Sequence, residues 1–191
     1  MTPGDPEGIG PEVFWKALKS RRLPEDVELI CIGARAPFEK LPFNKLSEHL
    51  GIRAFWAPET PISEPSIPAH FGLKRFSRAG YQAGWSVCKA VALIQAGFAD
   101  ALVTGPLSKE RLNRGGFRFD GHTELLASLC RRKSATMMLA NDQLRVSLVT
   151  IHTALARVPR LLTRTKVQTA IRHTYEALRD WWKLRKPRIA V

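Results

Sequence analysis

Strand-like and helix-like runs alternate along this chain, which restricts it to architectures with helices packed on the faces of a sheet. VELICIGA (27–34) is β-rich, whereas Arg78 to Phe98 sets Tyr81, Trp85, Cys88, Val91, Ala92 and Gln95 at helical spacing. ADALVTGP (99–106) then reads as a buried strand ending in a loop. TMMLA (136–140) and LRVSLVTIH (144–152) flank Asn141-Asp142-Gln143 as the arms of an antiparallel hairpin added to the sheet, with Met137 and Met138 as strand packing. Thr165 opens a last helix with Gln168 at the capping-box offset. Val167, Ile171, Tyr175, Leu178 and Trp182 form its apolar stripe, which makes Trp182 a core residue. The fold class expected is α/β.

At 191 residues, 45% hydrophobic and 25% charged, the chain can bury one core, or two small lobes, without disulfides. Cys31, Cys88 and Cys130 are odd in number, far apart and set in apolar surroundings, so they read as reduced packing residues. MTPGDPEGIG lacks the basic start and apolar run of a secretory signal, and no stretch approaches the ~18 apolar residues of a membrane span. The expected location is the cytoplasm, with no membrane partner. Net charge is +13, and Arg157 to Val191 alone contributes +8. Those cations are spread along an amphipathic helix rather than interleaved with aromatics. A solvated face, or one meeting an acidic surface, is therefore expected ahead of a field that draws in small anions, and nucleic acid is not expected as a partner.

Three loops stand at strand ends or helix starts, where open α/β sheets place their sites. GDPEGIGPE (4–12) combines glycines that allow close backbone approach with Pro11 at the first turn of a helix carrying Val13, Trp15 and Leu18. It matches neither the dinucleotide fingerprint nor the P-loop, and reads as a tight turn or as an anion-binding loop. In VTGPLSKE (103–110) a strand gives way to a Gly-Pro turn and then Lys109. That lysine is either a surface residue at the start of a short helix or a group reaching into a cleft to bind a carboxylate or phosphate, or to relay a proton. In FDGHTE (119–124), Thr123 can cap the following helix and Glu124 complements its dipole. His122 has no such local use, except as a donor to an anion at the helix's positive end. His152 ends the run VSLVTI. Its imidazole is expected to emerge from the sheet into the same cleft, as a metal ligand or as a hydrogen-bonded structural residue. His49, His70 and His173 are assigned to the surface.

Both ends read as cut. PRIAV (187–191) looks like a strand with no helix to cover it, and the strand expected ahead of GDPEGIG has only Met1, Thr2 and Pro3 to supply it.

TPGDPEGIGPE, RAGYQAG, DALVTGPLSKE, FDGHTELLA, MML, RVSLVTIH and PRIAV occur in an order and at spacings that resemble the 4-hydroxythreonine-4-phosphate dehydrogenases of vitamin B6 synthesis. The resemblance runs from Thr2 to Val191, and GHTE together with the GDPxGIGPE loop is its most specific part. It implies a two-lobe α/β sandwich like the isocitrate and isopropylmalate dehydrogenases, truncated here at both ends, of which residues 1–191 are the N-terminal portion and the C-terminal half is absent. A lobe hinge is expected near 58–68, within the proline-rich PETPISEPSIP, or in 99–122. The family also implies a homodimer with shared active sites, NAD or NADP, a divalent cation (Zn, Mg or Co) and a phosphorylated small-molecule substrate.

The resemblance implies that His122 and Thr123 contact the substrate and that His152 is the first of three histidine ligands to the metal, the other two following residue 191. Lys109 is the candidate for proton transfer or carboxylate binding. The family often has Pro-Leu-Arg soon after the metal histidine. Here His152 is followed by Thr153-Ala154-Leu155-Ala156-Arg157, so the arginine falls one place late and no role is carried over to Arg157. The implied reaction is oxidation of 4-hydroxythreonine 4-phosphate to a β-keto acid that loses carbon dioxide, giving 3-amino-2-oxopropyl phosphate, with the chain's positive charge suiting a doubly anionic substrate. The truncated chain alone is expected to be inactive. Alternatives are a related dehydrogenase for a phosphorylated four-carbon sugar acid or a cyclic dihydrodiol carboxylate, or a non-catalytic binding protein derived from the family.

Overall fold

A computed structural model describes residues 1–20, 26–59 and 77–191. These divide into two compact units, Met1–Arg132 and Lys133–Val191. Of the hinge expected near 58–68 only Pro58 and Glu59 are described, and His70 also lies outside the described residues. The alternative hinge segment, 99–122, is internal to the first unit.

In the first unit, strand β1 (Ile30–Gly33) is buried along its whole length and pairs in parallel with β2 (Arg53–Trp56), Ile30 opposite Arg53 and Gly33 opposite Trp56. On the other side of β1 the amino group of Met1 donates to the Ile30 carbonyl at 2.6 Å, and the Ile32 N–H donates to the Met1 carbonyl at 3.0 Å. Thr2, fully buried, forms a parallel bridge with Thr104: its N–H donates to Val103 at 2.9 Å and its carbonyl accepts from Gly105 at 2.6 Å. These are the slanted bonds of parallel pairing. Ahead of the glycine loop the described residues thus form an isolated bridge at Thr2 and no strand. Residues 99–106, expected as a buried strand, contribute only the bridge at Thr104, and Val103 is 58% exposed. Among the described residues that segment ends the row, so a single neighbour pairs with it.

Helix α1 (Gly10–Lys19) starts with Pro at its first turn and buries Phe14 and Leu18, one turn apart. Val13 is 53% exposed, because the buried face is set by Phe38 and Phe43, whose rings lie 5.8 and 6.4 Å from that of Phe14. Trp15 packs at the edge of the same cluster. Helix α2 (Phe43–His49) contributes Phe43 and leaves His49 exposed, as expected.

Helix α3 (Arg78–Gln95) is capped by the Ser77 hydroxyl, which accepts from the Gly80 N–H at 3.1 Å. Tyr81, Trp85, Cys88 and Val91 are buried at the spacing the sequence shows. The helix stops short of Phe98 because Gly97 turns to φ 77°, and Phe98 is left exposed. Against α3 pack two short helices, α4 (Lys109–Arg114) and α5 (His122–Leu129), whose anchors Leu112 and Leu125 are fully buried with Tyr81, Trp85 and Phe117. Cys31 and Cys88 are buried, which pushes both thiols up to about 12 and leaves them inert. Cys130, expected as packing, is exposed where α5 ends.

In the second unit, β3 (Met137–Ala140) and β4 (Arg145–Leu148) form the expected antiparallel hairpin, and the Asn141 carboxamide oxygen accepts from the N–H groups of Gln143 and Leu144. The pair forms a two-stranded sheet of its own rather than an extension of β1–β2, each arm bonding only the other among the described residues. A short turn, α6 (Val158–Leu161), leads to α7 (Arg164–Asp180). Thr163 caps α7, accepting from the Lys166 N–H at 3.3 Å, so Thr165 lies inside the first turn. The buried face is Ala170, Thr174 and Leu178, with Thr174 sharing a 2.6 Å hydrogen bond with Ser147 of β4.

Tyr175 and Trp182, expected as core, are 40% and 37% exposed. The Trp182 ring instead lies 5.0 Å below the Arg145 guanidinium as a cation–π platform. His173 is half-buried rather than a surface residue, its Nδ1 2.8 Å from the Thr136 hydroxyl. Residues 187–191 form no strand, and Val191 is 94% exposed. No helix among the described residues is long and apolar enough to cross a membrane.

The contact between α3 and α4 depends on Gly80, where a Cβ would overlap the carbonyl of Arg111. Alanine ordinarily favours a helix interior over glycine, but here backbone must move to admit it. Gly80→Ala is expected to lower the unfolding free energy by about 2 kcal/mol net, read from urea denaturation. A variant as stable as the parent would show that α4 is not held by this approach.

Candidate functional site

The three loops singled out in the sequence meet on the first unit. Gly4 adopts φ 85°, with no room for a Cβ beside the Pro106 carbonyl, and the Asp5 N–H donates to that carbonyl at 2.9 Å. The Asp5 carboxylate, 4% exposed, closes a turn by accepting from the Glu7 N–H at 3.0 Å. Its other partner is distant in sequence: Arg111 of α4 places Nη1 3.1 and 3.0 Å from the two Asp5 oxygens and 3.2 Å from Glu7 Oε2. The glycine loop is therefore tied to the lysine loop by backbone and by charge.

Helix α4 holds the third loop as well. Ser108 caps it, accepting from the Arg111 N–H at 3.3 Å, and Lys109 is its first residue. The Lys109 ammonium pairs with Asp120, both side chains being largely exposed, and this partner keeps the Asp120 carboxyl below its usual range. The Asn113 carboxamide donates to the carbonyl of Lys109 at 2.8 Å and to that of Phe119 at 2.9 Å. Lys109 is thus a helix-start lysine on the surface that also reaches the loop carrying His122.

Helix α5 begins two residues earlier than the sequence suggests. Gly121 is its cap residue, with no side-chain cap, so His122 and Thr123 both stand in the first turn. Thr123 does not cap the helix, which corrects the sequence expectation, because the backbone already turns helical at His122. His122 Nε2 is buried and has no hydrogen-bond partner among the described residues. Burial also lowers the ring's pKa from 6.5, so the neutral imidazole is favoured. An orphaned ring nitrogen beside free helix N–H groups is the arrangement that accepts an oxyanion.

His152 belongs to the second unit, just past β4, and is exposed. Its φ of 51° places a non-glycine residue in the left-handed region, which costs on the order of 1 kcal/mol or more and persists where surroundings impose it. Among the described residues no three His, Cys, Asp or Glu side chains lie close enough together to hold a metal ion. His152 is thus one available imidazole without two further donors beside it among the described residues.

The ties that assemble the loops, Asp5 to Arg111 and Asn113 to Phe119, are not visible in the sequence pattern. Asp5 precedes a proline in a turn-forming run and reads as a turn residue, while Arg111 looks like any exposed helix arginine. The one available hint is that an acidic side chain in a loop packed this closely requires a cation somewhere.

The family profile described as "Pyridoxal phosphate biosynthetic protein PdxA" matches residues 46–191. A Geobacter metallireducens protein named 4-hydroxythreonine-4-phosphate dehydrogenase is 36% identical over all of this chain and 59% of its own length. A Bradyrhizobium diazoefficiens relative, provisionally named a D-threonate 4-phosphate dehydrogenase, is 35% identical over all of this chain and 58% of its own. Among solved structures, a protein from Salmonella typhimurium provisionally named 4-hydroxythreonine-4-phosphate dehydrogenase superposes with a TM-score of 0.77. It is 32% identical, over 98% of this chain and 61% of that one. The chain thus spans less than two thirds of the length of these relatives.

The state of His122 has a measurable consequence. The unfolded chain takes up a proton near 6.5 that the folded ring resists, so this residue's contribution is intact above that pH and is lost as pH falls below it. The thermal midpoint is expected to fall between about pH 7.5 and 5.5, and His122→Asn to flatten part of that fall. Identical pH profiles for parent and variant would show that the ring is not held neutral by burial.

Proposed function

The chain belongs to the PdxA family of pyridoxal phosphate biosynthetic proteins, and from that premise we propose that it contributes to a metal-dependent, NAD(P)-linked dehydrogenase acting on 4-hydroxythreonine 4-phosphate. The observation that supports this most directly is the unpartnered His122 Nε2, buried in the first turn of α5 and joined through Asp120 and Asn113 to the helix that carries Lys109. In this reading the substrate phosphate meets the first N–H groups of α5, with the His122 ring and the Thr123 hydroxyl as further contacts. Lys109, an ammonium paired with Asp120, binds the substrate carboxylate or donates a proton. To act as a base it must first lose both its proton and its partner.

The reaction removes a hydride from the alcohol carbon and a proton from its hydroxyl. The ketone so formed is β to a carboxylate and loses carbon dioxide, leaving 3-amino-2-oxopropyl phosphate. The hydride acceptor in a dehydrogenase of this kind is a nicotinamide, to which we assign no residue of this chain. For the divalent cation (Zn, Mg or Co) the chain offers His152 as a single ligand. One imidazole does not by itself hold a catalytic ion, and no donor cluster accompanies it among the described residues. Tight chelation needs further donors from elsewhere in a complete enzyme. A two-lobe architecture like that of the isocitrate and isopropylmalate dehydrogenases, a homodimer with shared sites and a cytoplasmic location complete the proposal. The Bradyrhizobium relative favours a second reading, in which the substrate is a phosphorylated four-carbon sugar acid.

Calorimetry and spectrophotometry on the purified 191-residue chain test these roles. We expect no NADH formation from 4-hydroxythreonine 4-phosphate with NAD and zinc or magnesium, but measurable binding of the phosphorylated substrate. His122→Asn should weaken that binding about tenfold, the loss of roughly one charge-assisted hydrogen bond. Substrate-dependent NADH production would overturn the inactivity, and unchanged affinity in the variant would remove His122 from the site. D-threonate 4-phosphate binding the more tightly would favour the second reading.

A further inference from the structure

Arg111 is spoken for by two carboxylates yet lies outside every role given above. Its Nη1 alone serves both oxygens of the buried Asp5 and one of Glu7, while its side chain remains 38% exposed. Helix α4 is short, and only its position on α3 fixes where Arg111 starts. The two ends of the glycine loop are fixed by close packing, Gly4 against the Pro106 carbonyl and Gly10 against that of Pro3, whereas Glu7, Gly8 and Ile9 between them are exposed. Backbone bonds from Asp5 to Pro106 and from Gly8 to Asp5 hold the loop at one place each.

We propose that Arg111 is a positioning residue, a guanidinium clamp that locks the glycine loop onto the helix carrying Lys109 and so presents both loops to the substrate in one fixed arrangement. The proposal rests on the reading of the three loops as a substrate site. It follows from the chemistry of the pair. A carboxylate as buried as that of Asp5 is stable only while a cation faces it. Removing the cation leaves an uncompensated charge, which the loop relieves by opening towards water. Glu7, at the surface, gives the same nitrogen a second acceptor across the turn, so opening the loop breaks both contacts together. Because one nitrogen makes every contact, lysine, whose ammonium also carries several donors, can replace part of the pairing. The clamp acts on substrate only through loop position, since Arg111 itself is turned towards the two carboxylates.

The test compares amide hydrogen exchange and calorimetric affinity for 4-hydroxythreonine 4-phosphate in the 191-residue chain and its Arg111→Met and Arg111→Lys variants. In Arg111→Met, the amides of Asp5, Glu7 and Gly8 should exchange at least about tenfold faster, while those of Tyr81 and Trp85 in α3 are unchanged. Substrate affinity should fall about fivefold, and Arg111→Lys should recover part of both effects. A purely structural role would raise exchange in α3 together with the loop and would leave affinity untouched in the folded protein.

Unchanged loop exchange in a folded Arg111→Met protein overturns the clamp. Faster loop exchange with unaltered affinity overturns its bearing on the substrate. If the parent chain binds no substrate at all, the functional reading fails, while the exchange result still decides whether Arg111 holds the loop. Should Arg111→Met not fold, Asp5→Asn removes the pair from the other side with its shape retained, and the same two readings apply to it.

Discussion

Helix α4 has six residues, too few to be stable alone, and its place is set by how closely it approaches α3. Gly80 makes that approach possible: with no Cβ there, the Arg111 carbonyl sits against the α3 backbone, and Leu112 reaches full burial among Tyr81, Trp85 and Phe117. Once α4 is anchored, its outward side chains leave in three directions. Lys109 finds Asp120, Arg111 finds Asp5, and Asn113 finds the Phe119 carbonyl. These side-chain ties that gather the loops of the first unit all begin on this helix, so a packing contact in the core helps determine the geometry of a polar surface. The same logic explains the anchoring of α5 by Leu125, which leaves the first turn of that helix facing the Asp120 loop.

The parts of this arrangement that were legible in the sequence are those with a local signature. Helical spacing from Tyr81 to Val91 gives α3, strand composition gives β1, and the alternating arms around Asn141 give the hairpin, because each pattern is fixed by neighbours within a turn or two. Cap residues are less secure. Two threonines precede the core of α7, and Thr163 takes the cap although Thr165 has the better-spaced glutamine, since the chain already turns helical at Arg164. Thr123 fails for the same reason, lying inside the first turn of the helix it was expected to cap. The face of α1 had no local signature, because it is set by Phe14 packing against two rings contributed by residues farther along the chain.

What sequence pattern does not carry at all is pairing across long separations. Asp5 and Arg111 lie 106 positions apart, and nothing near either one announces the other. The Met1 and Thr2 backbones likewise insert between β1 and the segment at Thr104, a placement that follows from hydrogen-bond geometry rather than from side-chain type. Trp182 shows the converse. Its helical spacing suggested the core, but Arg145 offers its ring a cation, and a large aromatic that stays partly wet is stable in that role.

Charge was the most misleading guide to the site. The basic excess of the whole chain is concentrated in residues 157–191, within the second unit. On the three loops and the 111–118 segment joining the last two, Asp5, Glu7, Glu12, Glu110, Asp120 and Glu124 outnumber Lys109, Arg111, Arg114 and Arg118, and most of these cations already face a carboxylate. An anion arriving here is therefore not drawn by an unopposed positive patch. Under the proposed function, what is left for it is the N–H groups at the start of α5 and the ring of His122, whose buried Nε2 has no partner among the described residues. Such a site selects by geometry more than by field. Salt should then weaken binding less than it would for a cluster of free lysines, because screening acts on long-range charge and scarcely on a buried hydrogen bond.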